Sequence, residues 1–367
     1  MLPEHIRMSG NPGSDLNGFI GKRQYKKIAV LTDENTVRYC YPLIEKYLPG
    51  HEHISIPAGE AHKSLPTCIT VWQAMTRAHM DRKSVLIVVG GGMPGDLGGF
   101  CAATFKRGID FVLVPTTLLA QADASIGGKT GIDFDSYKNH IGVFRQPALT
   151  LIAPLFLNTL PENELRSGFA EIIKHALISD RHWWQHLTGQ SWKELNWPEE
   201  VEKSVRLKWK VVSEDPHEQG LRKVLNAGHT VGHAIESWFL SSGRPVLHGE
   251  AVAAGLACEA IISRNMNLLP ASACKEICDY LLKVFGKLHW PPSETSNICS
   301  LCLQDKKNEG KEILMALLEE PGHIRWDYAV APENILQALN EYLLEVRRGC
   351  TRRGIDYMLV KTSDYVD

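Results

Sequence analysis

The hydrophobic pattern changes near the middle of the chain. In the first half, short β-branched and aliphatic runs alternate with stretches whose apolar positions recur every three or four residues. KKIAVLT (Lys26 to Thr32), SVLIVVG (Ser84 to Gly90), FVLVPTT (Phe111 to Thr117) and LTLIAP (Leu149 to Pro154) are apolar at successive positions. Strands buried on both faces of a parallel sheet read this way. Helical spacing lies between them, as in TVWQAMTRAHM (Thr70 to Met80). The alternation predicts βαβ units, with ligands at the carboxyl ends of the strands. After about Pro161 the period becomes helical. ENELRSGFAEIIKHALIS, PEEVEKSVRLKWKVVSED, GHTVGHAIESWFL, GEAVAAGLACEAIISRNMNL and SACKEICDYLLKVFG all carry it, and few strand runs interrupt them. The expectation is an α/β fold: a Rossmann-like parallel-sheet domain over 1–160, then a mostly α-helical domain over 161–346. The boundary is placed within Leu155 to Glu162. The tail over 347–367 is basic and then weakly patterned, either a disordered extension or an appendage.

Composition narrows the class. A chain of 367 residues exceeds what one simple core holds, in line with two domains. With 44% hydrophobic and 22% charged residues, it has the make-up of a soluble globular protein. A net charge of -2 argues against nucleic acid as the main partner. Any cations that matter act locally. No apolar run reaches the roughly 18 residues that a membrane span needs, and MLPEHIRMSGNPGSD lacks a basic-then-apolar signal pattern. Nine cysteines are then expected to be reduced thiols in a cytoplasmic protein. Cys299 and Cys302 form a CxxC with no second pair at zinc-ribbon spacing, so they read as packing thiols.

Candidate chemistry lies on the predicted elements. SVLIVVG runs into GGGMPGDLGGF, where Gly90, Gly92 and Gly95 satisfy GxGxxG. Glycines let a backbone approach a pyrophosphate closely, and a helix N-terminus favours the anion. The motif is not in the first βα turn, and Asp110, about twenty residues on, precedes a strand instead of ending one. A tight strand-to-helix turn without a ligand stays open. In ASIGGKT (Ala124 to Thr130) the position a P-loop reserves for its first Gly is Asp123, which excludes that motif. Lys129 still stands well to meet a phosphate. Further on come Glu171 in GFAEIIKHAL, His229 and His233 in NAGHTVGHAIE, and His248 in LHGEAVAAG. A Glu and histidines converging from three helices make a catalytic zinc site with one open position. His229 and His233 share a helical face, but position 230 is Thr, so the HExxH base is missing. Glu171 and Lys174, three apart, also fit a buried ion pair. Lys208, Lys210, Arg222, Lys306 and Lys307 each fit a solvated face when taken singly.

Ordered together, these segments are familiar. PAGEAHKS, GGGMPGDLGGFCAATFKRG, VPTTLLAQADASIGGKTGID, KNHIGVFRQP, LRSGFAEIIKHALI, GLRKVLNAGHTVGHAIE, LHGEAVAAG and QDKKNEG resemble the 3-dehydroquinate synthases, members of the sugar-phosphate cyclase family, from about Ala29 to Tyr342. The resemblance implies a homodimer with NAD and a divalent metal, zinc or else cobalt. It places the metal on Glu171, His229 and His248, and makes His233 an acid/base or substrate-contact residue. It places NAD near Asp33 and Asn35, Glu60 and Lys63, along Gly91, Gly92, Met93 and Asp96, and against Thr116, Thr117, Lys129, Lys138 and Thr159. The substrate it implies is 3-deoxy-D-arabino-heptulosonate 7-phosphate. Lys129, Asn139 and Arg107 would meet the phosphate, with Arg107 reaching across the dimer. Asp123, Lys174, Lys208, Arg222, Asn226 and one of Lys306 and Lys307 would hold hydroxyls and carboxylate. The implied chemistry is transient oxidation, β-elimination of phosphate, re-reduction and an internal aldol closure, with no net use of NAD.

Three segments depart from the family pattern. The region before the first nucleotide-domain strand is short and irregular where members open with a β-hairpin. Met93-Pro94 replaces an aliphatic pair, and Pro offers no N–H to a phosphate. WFLSSGRPVLHG, ahead of His248, is longer than usual. Sister cyclases making 2-epi-5-epi-valiolone or 2-deoxy-scyllo-inosose have no substrate carboxylate to grip, so Arg222, Asn226 and the Lys306/Lys307 pair favour the carboxylated substrate. A metal-dependent polyol dehydrogenase needs no phosphate-directed Lys129, Asn139 and Arg107. The intact ligand set and cations weigh against a non-enzymatic scaffold.

Overall fold

The computed structural model describes residues 2–135, 137–303 and 313–350. The first half runs β1 (Ile6–Met8), α1 (Pro12–Arg23), β2 (Ile28–Asp33), α2 (Thr36–Tyr39), α3 (Pro42–Glu45), β3 (Glu52–Ile56), α4 (Leu65–Arg77), β4 (Val85–Gly90), α5 (Gly92–Thr104) and β5 (Asp110–Pro115). A hairpin of β6 (Lys129–Phe134) and β7 (Tyr137–Phe144) follows, then β8 (Leu149–Ile152). Six strands form one parallel sheet in the order β1-β8-β5-β4-β2-β3. The apolar runs are its central strands, and β2, β4 and β8 are buried along their whole length. Alternation divides them between two cores. Ala29, Leu31, Leu86 and Val88 meet α4 and α5 through Val71, Met75 and Leu97. Val30, Ile87 and Val89 meet α1 and α3 through Leu16, Phe19 and Ile44.

The second half holds α6 (Glu162–Ser179), α7 (Arg181–Thr188), α8 (Trp197–Glu214), α9 (His229–Ser241), α10 (His248–Asn265), α11 (Ala271–Phe285) and α12 (Thr295–Leu303). A hairpin of β9 (Ile313–Glu320) and β10 (His323–Val330) precedes α13 (Pro332–Cys350). α10 is buried on nearly every side from Gly249 to Ser263, as a helix apolar all round must be. It packs against α6, α9, α11 and α13. An α/β sheet followed by a helical half is the fold class expected from the sequence.

Some elements differ from expectation. The second half is interrupted by the antiparallel β9–β10 pair, whose second strand carries a bulge between Arg325 and Tyr328 that breaks the alternation. The N-terminal region is ordered where irregularity was expected. Ile6 pairs with Thr150 in parallel, and Asn11 accepts the Ser14 N–H at the start of α1. Residues 347–350 continue α13; the remainder of the expected tail lies outside the described residues. The cysteines from Cys40 to Cys302 are buried free thiols. Among the described residues, no helix is long and apolar enough to cross a membrane.

Candidate functional site

The sheet changes direction between β2 and β4. From β2 the chain moves outward to β3, then returns to β4 on the other side and continues through β5 to β8. Ligands bind above the carboxyl ends at such a switch point. Asp33 ends β2 and Asn35 follows it, Glu60 and Lys63 follow β3, and Gly91, Gly92, Met93 and Asp96 follow β4. Thr116 and Thr117 follow β5, and Thr159 follows β8. Asp33 Oδ1 accepts the N–H groups of Asn35 at 2.9 Å and Thr36 at 2.8 Å, which shapes the loop into α2. Lys63, 3% exposed, donates to Asp96 at 2.6 Å and to Asn139 Oδ1 at 2.5 Å. Packing explains only part of the glycine turn. A Cβ on Gly91 would lie 2.9 Å from Thr117 Cγ2, so Gly is required there. A Cβ on Gly92 would meet only Ala124, at 3.8 Å, and one on Gly95 would meet nothing within 4 Å. That open space over the N-terminus of α5 fits a dinucleotide's phosphates. Pro94 is in the first turn of α5, where N–H groups have no intrahelical acceptor, so its missing donor costs the helix nothing.

Three helices deliver the candidate metal ligands. Glu171 is midway along α6, while His229 and His248 are the first residues of α9 and α10. Their ligand atoms lie within 4.8 Å of one another. Nε2 of His248 is 3.3 Å from Glu171 Oε1, and Nε2 of His229 is 3.5 Å from it. The outer nitrogens are engaged elsewhere. His229 Nδ1 donates to the Ala227 carbonyl at 3.0 Å, and His248 Nδ1 faces Glu236 Oε2 at 3.4 Å. Such outer partners fix each ring and leave Nε2 for a cation.

Glu171 itself is the test of fit. It is fully buried, and neither of its oxygens receives a well-formed hydrogen bond, although Lys174 Nζ contacts Oε2. Burial opposes its charge, but Lys174 and His229 outweigh burial and hold the carboxyl well below its usual range. A buried carboxylate short of donors is costly unless a cation meets it. Burial, then Lys174, pushes His229 well below its ordinary value, giving the neutral imidazole that a metal requires. Burial opposes a charge on His248, but the facing carboxylates of Glu171 and Glu236 raise it to about 10. The field that retains a proton there would equally retain a metal cation. The donor set fits a divalent ion.

A second cluster surrounds Asp123, which is carried by a single π-helical turn (Ala120–Ala124). Lys208 Nζ meets its Oδ2 at 2.6 Å and its backbone carbonyl at 2.8 Å. His175 Nε2 is 3.1 Å from Oδ1 and Lys174 Nζ 3.7 Å. Burial opposes the Asp123 charge, and Lys174 and Lys208 together hold its carboxyl well below the usual range. Burial lowers Lys208. Arg222 is 3% exposed, with its two terminal nitrogens donating to the carbonyls of Pro216 at 2.7 Å and Gly127 at 3.4 Å. Lys129 Nζ contacts Glu218, whose other oxygen accepts Asn226 Nδ2 at 2.8 Å. Lys138 donates to Glu236 at 2.7 Å. The buried cations Lys174, Lys208 and Arg222, held this firmly, form a preorganised positive field.

Not every candidate joins these clusters. His233 meets His229 edge-on and His248 at a tilt, with ring centroids 5.1 and 5.9 Å away. It groups with Glu236 and His248, not with Glu171. Asn139 is tied to Lys63 at the cofactor edge. Arg107, left-handed at φ 71° and exposed, follows α5, with no ion pair to the other candidates among the described residues. Lys306 and Lys307 lie outside the described residues. Sequence reasoning missed His175, Glu218 and Glu236. Only Glu236 left a sign, one helical turn after His233 in GHTVGHAIE.

Comparison with known proteins gives consistent results. Residues 53–167 match the 3-dehydroquinate synthase N-terminal family model, and residues 168–308 match the C-terminal one. The 3-dehydroquinate synthase of Parabacteroides distasonis is 38% identical over 335 residues, 90% of this chain and 95% of that protein. The structure of the Streptomyces hygroscopicus 2-epi-5-epi-valiolone synthase with NAD+ and Zn2+ is similar with a TM-score of 0.81 and 25% identity, covering 94% of this chain and 98% of that one. A 2-deoxy-scyllo-inosose synthase, complexed with carbaglucose-6-phosphate, NAD+ and Co2+, shares the fold with a TM-score of 0.79 and 24% identity, covering 92% and 96%.

Proposed function

The chain belongs to the 3-dehydroquinate synthase family, and from that premise we propose that it converts 3-deoxy-D-arabino-heptulosonate 7-phosphate to 3-dehydroquinate and phosphate. The observation that carries the proposal is the grouping of Glu171, His229 and His248 next to buried Lys174, which with buried Lys208 converges on Asp123. Glu171, His229 and His248 would hold a divalent metal, zinc or cobalt. The β4–α5 turn with Asp33, Asn35, Glu60, Lys63, Thr116, Thr117, Lys138 and Thr159 would hold NAD. When bound, the metal supplies Lewis acidity at a substrate oxygen and NAD a reversible hydride acceptor, so phosphate leaves without net reduction.

The chain's own residues do the rest. Arg222 offers a planar fork to the substrate carboxylate, its plane fixed by the Gly127 and Pro216 carbonyls, with Asn226 beside it. Lys129 exchanges Glu218 for a phosphate oxygen, assisted by Asn139. Arg107 meets that phosphate from a second copy of the chain in a homodimer. Lys174 and Lys208, clamped on Asp123, stabilise negative charge developing on ring oxygens. His233 moves a proton at a substrate oxygen beside the metal. The buried thiols support a cytoplasmic setting.

The test is phosphate release from 3-deoxy-D-arabino-heptulosonate 7-phosphate with catalytic NAD and zinc, repeated after chelation. Metal-dependent release without NADH accumulation is expected. Release from sedoheptulose 7-phosphate or glucose 6-phosphate instead would make the chain a sister cyclase. Net NADH with a polyol would make it a dehydrogenase.

A further inference from the structure

Glu236, so far only the outer partner of His248, joins the two binding regions of the reading above. It is on α9 and 8% exposed. Its Oε1 accepts Lys138 Nζ at 2.7 Å, and its Oε2 faces His248 Nδ1 at 3.4 Å. His248 in turn presents Nε2 to Glu171 Oε1 at 3.3 Å. Four side chains therefore form a continuous path from the β6–β7 hairpin to the helices carrying the candidate metal ligands. Lys138 stands at its cofactor end and His248 at its metal end.

We propose that Glu236 is a positioning residue that makes dinucleotide binding and metal binding mutually reinforcing, by sharing one carboxylate charge between Lys138 and His248. The inference rests on the cofactor and metal assignments of the proposed function. While the Lys138 ammonium sits on Oε1, it offsets much of that charge. An anionic dinucleotide that draws Lys138 toward itself leaves the charge facing His248 Nδ1. A more negative outer partner makes Nε2 a better donor and tightens the metal. Conversely, a metal on Nε2 pulls the carboxylate toward His248 and releases Lys138. Linkage requires the two effects to be equal.

The experiment measures zinc affinity of the metal-free chain by competition with a chromophoric chelator, without NAD and with saturating NAD. In the unaltered chain NAD should tighten zinc by about 5- to 20-fold. Glu236→Gln should bring that factor to within about twofold of unity and weaken zinc alone by about 10- to 100-fold. Lys138→Met also removes the factor, but should leave zinc binding without NAD as tight as before or tighter. A merely structural role for the pair would weaken zinc in both variants. The Co2+ absorption spectrum gives a second readout, shifting on NAD addition in the unaltered chain and not in Glu236→Gln. Zinc and NAD binding with no mutual effect, or with the opposite sign, overturns the inference and leaves the metal centre standing. An undiminished factor in Glu236→Gln does the same. Failure of the unaltered chain to bind zinc removes the metal centre and the inference together.

Discussion

Burial determines what the ionisable side chains of the site can do. Glu171 has two demands on it, a lysine on one oxygen and two imidazoles near the other. The ion pair and the candidate metal ligand, separate alternatives in the sequence, fall on the same carboxylate. His248→Ala is expected to abolish metal binding in equilibrium dialysis together with turnover; activity persisting after metal-free dialysis would count against the ligand set. Arg222→Ala should lower kcat by about 10²–10³ while NAD affinity holds, and a fall in NAD affinity instead would remove the carboxylate role. The sequence made Glu171, His229 and His248 visible through the motifs around them. The His229/His233 spacing alone does not separate the two histidines. α9 starts at His229, so only the first of the pair stands opposite Glu171. Glu218 and Glu236 were hidden for another reason: their lysine partners lie 89 and 98 residues away, and no local pattern encodes such a pairing.

Among the elements, α6, α9 and α10 hold the ligands in register by backbone contact. A Cβ on Gly255 would fall on the Gly228 carbonyl and 2.6 Å from Gly232 N, and one on Gly249 would fall on the Ser167 carbonyl. Glu259 of α10 also accepts the Gly228 N–H at 2.5 Å, just ahead of His229. Gly255→Ala gains about 1 kcal/mol in helix propensity but forces the helices apart, an overpacking cost of about 1–3 kcal/mol. A lower melting temperature with weakened zinc binding is expected; unchanged zinc affinity would show that the helix spacing does not set the ligands. Gly95→Ala makes no internal clash, so its melting temperature should hold while NAD affinity falls. Full NAD affinity in that variant would place the cofactor elsewhere. The doubly buried strands were legible because nearly every position is apolar or β-branched. β3, with a half-exposed EHISI pattern, and the two-stranded hairpins carry too little contrast between faces to be read from the chain alone.

Over the whole molecule, the hairpin and the turn before it form one of the junctions between the sheet and the helical half. Lys129 contacts Glu218, Lys138 contacts Glu236, Gly127 accepts from Arg222, and the rings of Phe144 and His217 stand 5.9 Å apart. A metal binding only the native chain should stabilise it by about 4 kcal/mol when its concentration is about 1,000 times Kd. A thermal shift reversed by chelator would register this, and no shift would mean that the folded chain does not hold the ion. That a parallel-sheet half precedes a helical half followed from the change of period. Which loop meets which helix did not, because that is settled only when distant segments pack. These junctions also differ in how they can be inherited. Helices seated backbone against backbone must descend as a block, since almost any added side chain there disturbs the seat of the cation. The hairpin junction is built of single side chains that can be exchanged one pair at a time. Chains of this architecture should therefore diversify in what they accept at the hairpin and the loop after α8, while the metal seat stays fixed. Paired libraries randomised at the two junctions, and scored for zinc retention, would measure that difference directly.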